Sequence, residues 1–521
     1  MKHTLKELWA QAASRYSDMT AIKWLDHKDI HSIRYQELDD DIDRIGRGLA
    51  ANGYDHAHIA IIGESSTFWI AAYLGIVTGN NVAVPLDAAL PTDELVELIG
   101  RADCEGLFLS PKLAHMVEPA LQACPKLKNI WFTSHFLPED IKESTSKSSV
   151  KIDCIYSLMS QGTLISSYDA PLEDSVCTII FTSGTTGKSK GVMLTQKNLF
   201  DNVINVDYTA EPGATVLSVL PIHHAYCLVM DWMKGFSLGA CLCINDSMMH
   251  MVRNMNIFNP DVMLMVPLMI ETIYKKIALA GSQVSSGVFG TRLKTIFTGG
   301  AHLEPYYIDK FEELGITILE GYGMSECSPV ITSNTPSNYK KGSIGKPLDN
   351  VELSFENGEI LVRGSSVMKG YYHMEKETAE ALKDGWLHTG DKGYLDKDGY
   401  LFINGRVKNL IIMSNGENVS PEEIENKLSL DPLIAEIIIS GENNGLIATI
   451  YPDENLIKNK GLTKDAVKAS LQTLIDQYNS SQPTYRHITQ LIVRNEPFAR
   501  NTTGKIKRFF DTSRSAKNPA V

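Results

Sequence analysis

The sequence lacks long runs of apolar residues, and its few cysteines are scattered. No stretch reaches about 18 uninterrupted apolar residues, so we predict no membrane-spanning helix. The first residues, Met1 to Leu8, include an acidic residue and follow a helical pattern, unlike an export signal. Of the eight cysteines only Cys241 and Cys243 lie close together, a spacing that suits one face of a strand and not a zinc knuckle or a redox pair. We therefore expect a cytoplasmic protein with reduced thiols.

Positive charge is also scarce. The chain has 49 lysines and arginines against 62 aspartates and glutamates, a net charge of −13. A general nucleic-acid-binding protein needs a basic face for the phosphates, so we expect no nucleic-acid partner. The acidic balance does not exclude ATP, because a few local groups decide whether a nucleotide binds.

The length of the chain and its pattern of apolar runs predict two domains. A chain of 521 residues exceeds what one compact core usually holds. Short apolar runs alternate with helical patterns, for example strands at 58–63 and 82–85 around a helix at 67–77. Such alternation predicts an α/β fold of helix-covered, largely parallel sheets. We predict a large N-terminal domain over 1–404 and a small α+β domain over 405–521, in which Ser420 caps a helix and Glu423 bonds back to the cap.

An apolar strand at 176–181 runs into a loop of hydroxyls, glycines and lysines at 182–191. Glycines let backbone amides turn toward an anion and lysines neutralise its charge, so this loop suits a polyphosphate. A Walker-type loop would need glycine where Thr182 stands and a helix directly after Lys188. The sequence has neither, because a strand pattern follows and the next helix begins after Thr195. The Walker interpretation is therefore excluded.

The loop resembles the phosphate-binding signature of the acyl-adenylate-forming superfamily, with Ser189 where that family usually has proline. Further stretches resemble the family's motifs in the same order: Leu220–His224, Thr298–Ala301, Glu320–Glu326, Leu387–Asp391, Gly405–Lys408 and Asn501–Lys505. The resemblance implies ligation of a carboxylic acid to a thiol through an acyl-adenylate, with ATP, Mg²⁺ and coenzyme A or the phosphopantetheine of a carrier protein.

The resemblance also implies the site residues. Nucleotide contacts are expected at Thr182, Ser183, Gly184, Thr185, Thr186, Gly187, Lys188, Gly300, Ala301, Glu320, Gly321, Tyr322, Gly323, Ser325, Asp391, Arg406 and Lys505. Tyr322 offers a flat face for adenine, and Asp391 can accept from both ribose hydroxyls. Glu326 is the expected Mg²⁺ ligand, since a hard cation held by triphosphate needs only one or two protein carboxylates.

Catalytic roles are implied for Lys505, His224 and Arg406. Lys505 would bridge the substrate carboxylate and the α-phosphate, where a cation offsets the repulsion of two anions. His224 resembles the family's aromatic gate beside the acyl and thiol channels, and Arg406 would assist at the ribose. Lys408 matches the hinge about which the small domain turns, and Gly416 would let a thiol pass close to the backbone.

Two other chemistries find little support. His223 and His224 point in different directions in regular structure and have no evident third ligand, so they do not predict a metal site. Cys327 has no arranged base and is not predicted to be a nucleophile. A non-catalytic nucleotide-binding relative stays possible as a class, and the presence of Lys505, Glu326 and Asp391 together argues against it.

The acid is the least defined part of the prediction. Where amino-acid-activating relatives place an aspartate for the substrate ammonium, this chain has Tyr226, while Asp231 falls in a different register. Nine of the 18 methionines lie within forty residues, which suits either a flexible alkyl chain or plain core packing: Met230, Met233, Met248, Met249, Met251, Met255, Met263, Met265 and Met269. We favour a medium- or long-chain fatty acid and coenzyme A. The alternatives are loading of an acyl carrier protein, or a stand-alone adenylation domain of the peptide-synthetase type.

Overall fold

The computed structural model describes residues 2–141, 149–182, 188–208, 210–280, 288–413, 417–442, 445–500, 506 and 508. The chain divides into two compact units. The larger one contains residues 1–353, 362–388 and 399–401, and the smaller one contains 354–361, 389–398 and 402–521. The boundary expected at 404/405 stays a prediction. In the described ranges no helix is both long and apolar enough to cross a membrane.

A nine-stranded sheet of the large unit has the order β16-β15-β14-β13-β12-β10-β11-β1-β2. Its central strands are parallel, and the strands at both edges are antiparallel. The strands are β1 (Thr20–Asp26), β2 (Asp29–Arg34), β10 (Thr215–Ser218), β11 (Cys241–Ile244), β12 (Val262–Met265), β13 (Thr295–Thr298), β14 (Thr317–Gly323), β15 (Val330–Ser333) and β16 (Lys346–Pro347).

An eight-stranded sheet of the same unit has the order β19-β9-β8-β4-β3-β5-β6-β7. Strands β3 to β8 are parallel, while β9 and β19 add antiparallel pairs at one edge. The strands are β3 (His58–Ile62), β4 (Val82–Leu86), β5 (Gly106–Leu109), β6 (Asn129–Phe132), β7 (Lys151–Cys154), β8 (Val176–Thr182), β9 (Lys190–Thr195) and β19 (Gly370–Tyr371). The predicted strands at 58–63 and 82–85 are confirmed.

Helices pack on both sheets, because α2 contacts the first sheet, α3 contacts the second and the two helices contact each other. The large unit contains α1 (Leu5–Arg15), α2 (Tyr35–Ala51), α3 (Thr67–Thr78), α4 (Thr92–Arg101), α5 (Val117–Ala123), α6 (Ile155–Gly162), α7 (Gln196–Asn205), α8 (Lys234–Ser237), α9 (Met251–Phe258), α10 (Pro267–Ala280), α11 (Pro305–Glu312), α12 (Glu375–Ala381) and a π-helix (Cys227–Met233). The predicted helix at 67–77 is confirmed. The helix start at Thr195 is also confirmed, since the Thr195 hydroxyl accepts from the Asn198 amide.

The described residues of the small unit form a mixed three-stranded sheet and three α-helices, which is an α+β arrangement. The order is β25-β26-β27, antiparallel in the first pair and parallel in the second. Its elements are β23 (Ile411–Ile412), β24 (Asn418–Val419), β25 (Ile434–Glu442), β26 (Gly445–Pro452), β27 (Ile488–Val493), α13 (Pro421–Leu428), α14 (Glu454–Lys460) and α15 (Lys464–Ser480). Strands where the chain passes from one unit to the other are β17 (Val351–Glu356), β18 (Glu359–Gly364), β20 (Leu382–Lys383), β21 (Trp386–Leu395) and β22 (Leu401–Arg406).

The cap predicted for α13 is wrong in its chemistry. Ser420 precedes the helix and Pro421 occupies its first turn, as expected, but the Ser420 side chain caps no amide. Its hydroxyl instead donates to a carboxylate oxygen of Glu422 at 3.1 Å. The Glu423 carboxylate accepts from Arg486 instead of from the cap amide, so the predicted capping box does not form.

Helices α2 and α6 pack closely against each other at two glycines, Gly48 and Gly162. A Cβ on Gly48 would overlap the carbonyl oxygen of Leu158, and one on Gly162 would overlap that of Arg44. The backbones of the two helices therefore meet without intervening side chains at these positions. By contrast, a Cβ on Gly100 in α4 would have no neighbouring atom within 4 Å.

We expect Gly48→Ala and Gly162→Ala each to lower the free energy of unfolding by about 1–3 kcal/mol, because the added methyl forces two backbones apart. Gly100→Ala is the matched control, and it should stabilise by about 0.5–1 kcal/mol since alanine is the better helix former. Chemical denaturation of the three variants gives the comparison. Equal stability of Gly48→Ala and Gly100→Ala would contradict the close packing of α2 on α6.

Candidate active site

Two neighbouring parallel strands bring together several residues expected to contact the nucleotide. In the pairing of β13 with β14, Thr298 lies opposite Glu320. The loops after both strands therefore open at the same edge of the sheet, which is where ligands bind in open α/β sheets. The two loops are close, because a Cβ on Gly299 would lie 2.9 Å from the carbonyl oxygen of Gly321. This edge contains Gly300, Ala301, Glu320, Gly321, Tyr322 and Gly323.

Glu320 is a buried carboxyl group, with 5% of its surface exposed. Desolvation raises its pKa to about 7, while the charge of His302 and a hydrogen bond from the Gly342 amide oppose that rise. Its Oε2 atom has no hydrogen-bond partner among the residues that the structure describes, and neither does the hydroxyl of the neighbouring Thr298. Glu320 therefore offers an unused hydrogen-bonding oxygen at the strand end.

Glu326 lies in a short 3-10 turn, Ser325–Cys327, directly after β14. Only 8% of its surface is exposed. Its Oε1 atom accepts a hydrogen bond of 2.8 Å from the hydroxyl of Tyr371, and its backbone carbonyl accepts one of 2.8 Å from the amide of Met368. Burial, followed by the charge of Glu326, raises the pKa of Tyr371, so the tyrosine remains the donor.

The residues fit a magnesium ion only if phosphate oxygens and water supply most of its ligands. In the described part of the chain no group of three or more His, Cys, Asp or Glu side chains could hold a metal ion. A single buried carboxylate suits Mg²⁺ that is bound mainly by phosphate oxygens and water. Cys327 is fully buried and desolvation raises its pKa, which agrees with the expectation that it is no nucleophile.

Asn202 holds this turn in place, and sequence reasoning missed it. Its side-chain amide donates to the carbonyl oxygens of Cys327 (3.2 Å) and Val330 (2.8 Å), and its Oδ1 accepts from the Val330 amide at 3.2 Å. The turn includes Ser328, whose φ of +69° is unusual for a residue other than glycine. Asn202 lies on α7, more than a hundred residues earlier, so no local pattern marks it.

The second sheet contributes the predicted phosphate loop. Thr182 ends β8, and Asp87 follows the neighbouring parallel strand β4. The loop residues Ser183, Gly184, Thr185, Thr186 and Gly187 lie outside the described residues. Lys188 is exposed, and the Nζ atom of Lys190 lies 4.7 Å from the ring centre of Tyr371.

The two adjacent histidines follow β10, and one of them lies close to Asp87, the residue after β4. The rings of His223 and His224 lie 4.3 Å apart, and the Nε2 atom of His223 is 3.7 Å from Asp87. Desolvation lowers the pKa of both, that of His223 to about 4, although the charge of Asp87 opposes the shift. Both rings are thus neutral at pH 7, which suits the predicted aromatic gate. The contact of His223 with Asp87 is therefore polar and is not an ion pair.

In the small unit, Asp391 and Arg406 form an ion pair. The Nε atom of Arg406 donates to Oδ1 of Asp391 at 2.8 Å, and Asp391 is 6% exposed. The strand segment is fixed locally, because the amide of Gly390 donates to Glu359 at 2.9 Å. Lys408 is exposed in the 3-10 turn Val407–Asn409.

Two residues with implied roles in this unit lie outside the described residues. These are Lys505, the expected bridge between the carboxylate and the phosphate, and Gly416, the expected passage for the thiol. Their roles stay predictions.

The proposed wall of the acyl pocket includes the π-helix Cys227–Met233, an uncommon element that often marks functional sites. Asp231 on this helix is fully buried and accepts from the Ser218 hydroxyl at 2.9 Å. Desolvation raises its pKa to about 7. Tyr226, directly before the helix, is a neutral side chain, since burial raises its pKa.

Comparison with known proteins identifies the family to which the chain is similar. A family model described as AMP-binding enzyme matches residues 9–372, and one described as AMP-binding enzyme C-terminal domain matches residues 408–510. The resemblance noted in the sequence is therefore confirmed.

Two relatives and one solved structure illustrate the similarity. The chain is 25% identical to long-chain-fatty-acid–CoA ligase 5 of Mus musculus, with 89% of this chain and 80% of the relative aligned. It is 27% identical to a long-chain-fatty-acid–CoA ligase of Bacillus subtilis (strain 168), over 84% of this chain and 82% of the relative. The structure of an anthranilate CoA ligase in complex with anthranoyl-AMP superposes with a TM-score of 0.82 at 19% identity, over 99% of both chains. That likeness confirms the predicted fold of a large α/β unit with a small one.

Asp231→Asn should remove part of the pH dependence of stability. The folded protein keeps this proton up to about pH 7, whereas an unfolded aspartate ionises near its ordinary pKa of 3.8, so ionisation favours unfolding as pH rises between these values. Between pH 5 and pH 8 the parent should lose about 2–3 kcal/mol of unfolding free energy from this group, and the variant should lose none of it. Denaturant titrations at pH 5 and pH 8 measure the difference, and an identical pH dependence of both proteins would contradict a buried, protonated Asp231.

Proposed function

This chain belongs to the AMP-binding enzyme family and is an acyl-CoA synthetase-like ligase that forms acyl-adenylates, and we propose that its substrates are a medium- or long-chain fatty acid and coenzyme A. The observation that carries the choice of acid is the π-helix beside the predicted pocket. Its one aspartate, Asp231, is fully buried, with Oδ2 accepting from Ser218 and Oδ1 without a partner among the described residues. Because desolvation favours its neutral form, Asp231 is a poor counter-ion for the ammonium group of an amino acid.

Two further findings support a fatty acid. The relatives from Mus musculus and Bacillus subtilis are named long-chain-fatty-acid–CoA ligases and align with most of this chain. Several methionines of the segment 230–269 are buried around strands β10 to β12, among them Met230, Met233 and Met255. Methionine is unbranched and adapts its shape, which suits an alkyl chain better than a rigid ring.

The reaction has two steps. An oxygen of the acid's carboxylate attacks the α-phosphorus of ATP, the bond between the α- and β-phosphates breaks, and pyrophosphate leaves. The thiol of coenzyme A then attacks the acyl carbonyl, AMP leaves, and the thiol proton passes to solvent or to a base. A magnesium ion held at Glu326 would neutralise charge on the triphosphate.

The protein groups act by position and charge. Tyr322 follows Glu320 and Gly321 at the end of β14, where a flat ring can stack on adenine. Thr182 and Lys188 flank the loop that we propose binds the phosphates, and Asp391, with Arg406 bonded to it, is the proposed ribose acceptor. Lys505 would place a cation between the two reacting anions, and His224, held neutral by burial, would border the acyl and thiol channels.

A change in the backbone dihedral angles at Lys408 would separate adenylate formation from thioester formation. The 3-10 turn Val407–Asn409 is exposed, and hinges commonly consist of a few residues of this kind. We propose that the small unit turns about Lys408, which removes Lys505 from the site and opens a passage for the thiol.

The acid and the acceptor can be identified in one experiment. Pyrophosphate release is measured with ATP, Mg²⁺ and a panel of saturated fatty acids, aryl acids and α-amino acids. Fatty acids of medium or long chain should give at least about tenfold higher kcat/KM than the other classes, because a long alkyl chain would bury more apolar surface in the predicted pocket than an aryl or amino acid would. Addition of coenzyme A should then yield the thioester, while an acyl carrier protein should not. Highest activity with an amino acid would overturn the choice of acid, and acylation of the carrier alone would overturn the choice of acceptor.

Lys505→Ala separates the two half-reactions. Adenylate formation from acid and ATP should fall by about a hundredfold or more, because the cation between the reacting anions is lost. Transfer from supplied acyl-adenylate to coenzyme A should stay within a few-fold of the parent. Lys507→Ala, which removes a neighbouring cation, is the matched control and should leave both steps intact. Equal losses of Lys505→Ala in both half-reactions would make Lys505 a structural residue.

A further inference from the structure

The segment that carries Tyr371 is fixed on three sides in the large unit. Its strand β19 pairs with β9, with Tyr371 opposite Val192. The amide of Tyr371 donates to the hydroxyl of Thr378 at 2.9 Å. Gly370 has a φ of +147°, and a Cβ there would lie 2.8 Å from Cγ2 of Thr378, so only glycine fits before the tyrosine. The backbone that carries the tyrosine is therefore held in place, and its side chain is buried.

This fixed hydroxyl is directed at one oxygen of Glu326. The hydrogen bond to Oε1 is 2.8 Å long, and both groups are largely buried. Among the described residues, none bonds to the other oxygen, Oε2. The same segment also holds the backbone of the glutamate, through the amide of Met368. One oxygen of the carboxylate is thus engaged by the protein, and the other is available to a ligand.

The face of the same ring lies under a lysine of the phosphate loop. The Nζ atom of Lys190 is 4.7 Å from the ring centre of Tyr371, within the range of a cation–π contact. Lys190 begins β9, directly after the loop at 183–189. Tyr371 therefore contacts both the carboxylate at the end of β14 and the cation at the end of the loop between β8 and β9.

From this geometry we propose that Tyr371 is a positioning residue, which orients Glu326 so that its free oxygen binds the divalent cation of the metal–ATP complex. This inference rests on the metal role of Glu326 in the proposed function. It assigns the orientation to a single hydroxyl, that of Tyr371, which bonds to Glu326. Without it, the carboxylate could rotate about its side-chain bonds, and the ordering would have to occur at each binding event.

The test is Tyr371→Phe, which removes the hydroxyl and keeps the ring beneath Lys190. Binding of Mn²⁺ is measured by electron paramagnetic resonance in the presence of α,β-methylene-ATP, so no turnover is needed. The dissociation constant for Mn²⁺ should rise about tenfold, the expected effect of one lost hydrogen bond to a charged group. In steady-state assays the KM for Mg²⁺ should rise similarly, while kcat at saturating Mg²⁺ should change by less than about threefold.

Tyr372→Phe is the matched control. It removes the hydroxyl of the adjacent tyrosine, which donates to Asp103 at 3.0 Å and not to Glu326. This variant should bind Mn²⁺ as the parent does. An unchanged Mn²⁺ affinity in Tyr371→Phe, or an equal loss in both variants, would overturn the positioning role.

Glu326→Gln separates this proposal from the one on which it rests. If Glu326→Gln weakens Mn²⁺ binding and Tyr371→Phe adds nothing to it in the double variant, the two residues act through one another as proposed. If Glu326→Gln weakens binding but Tyr371→Phe does not, only the tyrosine's role fails. If Glu326→Gln binds Mn²⁺ as the parent does, the metal role of Glu326 fails, and the positioning role of Tyr371 fails with it.

Discussion

The turn between β14 and β15 carries backbone groups into the protein interior, where each needs a hydrogen-bond partner. Asn202 supplies partners for the carbonyl of Cys327 and for both backbone groups of Val330. Its side chain is fully buried, and it also donates to the hydroxyl of Ser366 at 3.2 Å. A buried amide that satisfies this many groups is costly to disturb, because each broken bond leaves an unpaired polar atom. The place of Glu326, inside this turn, is therefore set by a helix distant in sequence.

Two contacts join the strand ends of the two large sheets. At one, the hydroxyl of Tyr371 on β19 reaches Glu326 after β14. At the other, His223 after β10 lies 3.7 Å from Asp87 after β4. In both sheets the parallel strands have their carboxyl ends at these contacts, so loops that are far apart in the chain open into one region. Parallel pairing thus makes the site a consequence of topology, and the loops need only supply the chemistry.

The sequence predicted those features that have a local cause. Alternation of apolar and helical patterns located β3, α3 and β4, and the Thr195 cap located the start of α7. The same reasoning failed for the capping box at Ser420, because Glu423 pairs with Arg486, a contact distant in sequence that propensity does not include. Asn202 and Tyr371 could not be predicted at all. Asn202 bonds to residues at least 125 positions away, and Tyr371 bonds to a residue 45 positions away. Such contacts exist only once the chain is folded.

Burial also resolves an apparent conflict between an acidic protein and an anionic substrate. With a net charge of −13, the chain would repel a triphosphate if its interior carboxyl groups near the strand ends were all ionised. Desolvation raises the pKa of Glu320 and of Asp231 to about 7, so both carry less negative charge at neutral pH than exposed carboxyl groups do. The neutral histidines 223 and 224 add no compensating positive charge. A bound polyphosphate would raise the pKa of nearby carboxyl groups further, since like charges disfavour ionisation, and the protein would take up protons as it binds. The region around the strand ends therefore carries less negative charge than its number of carboxyl groups implies.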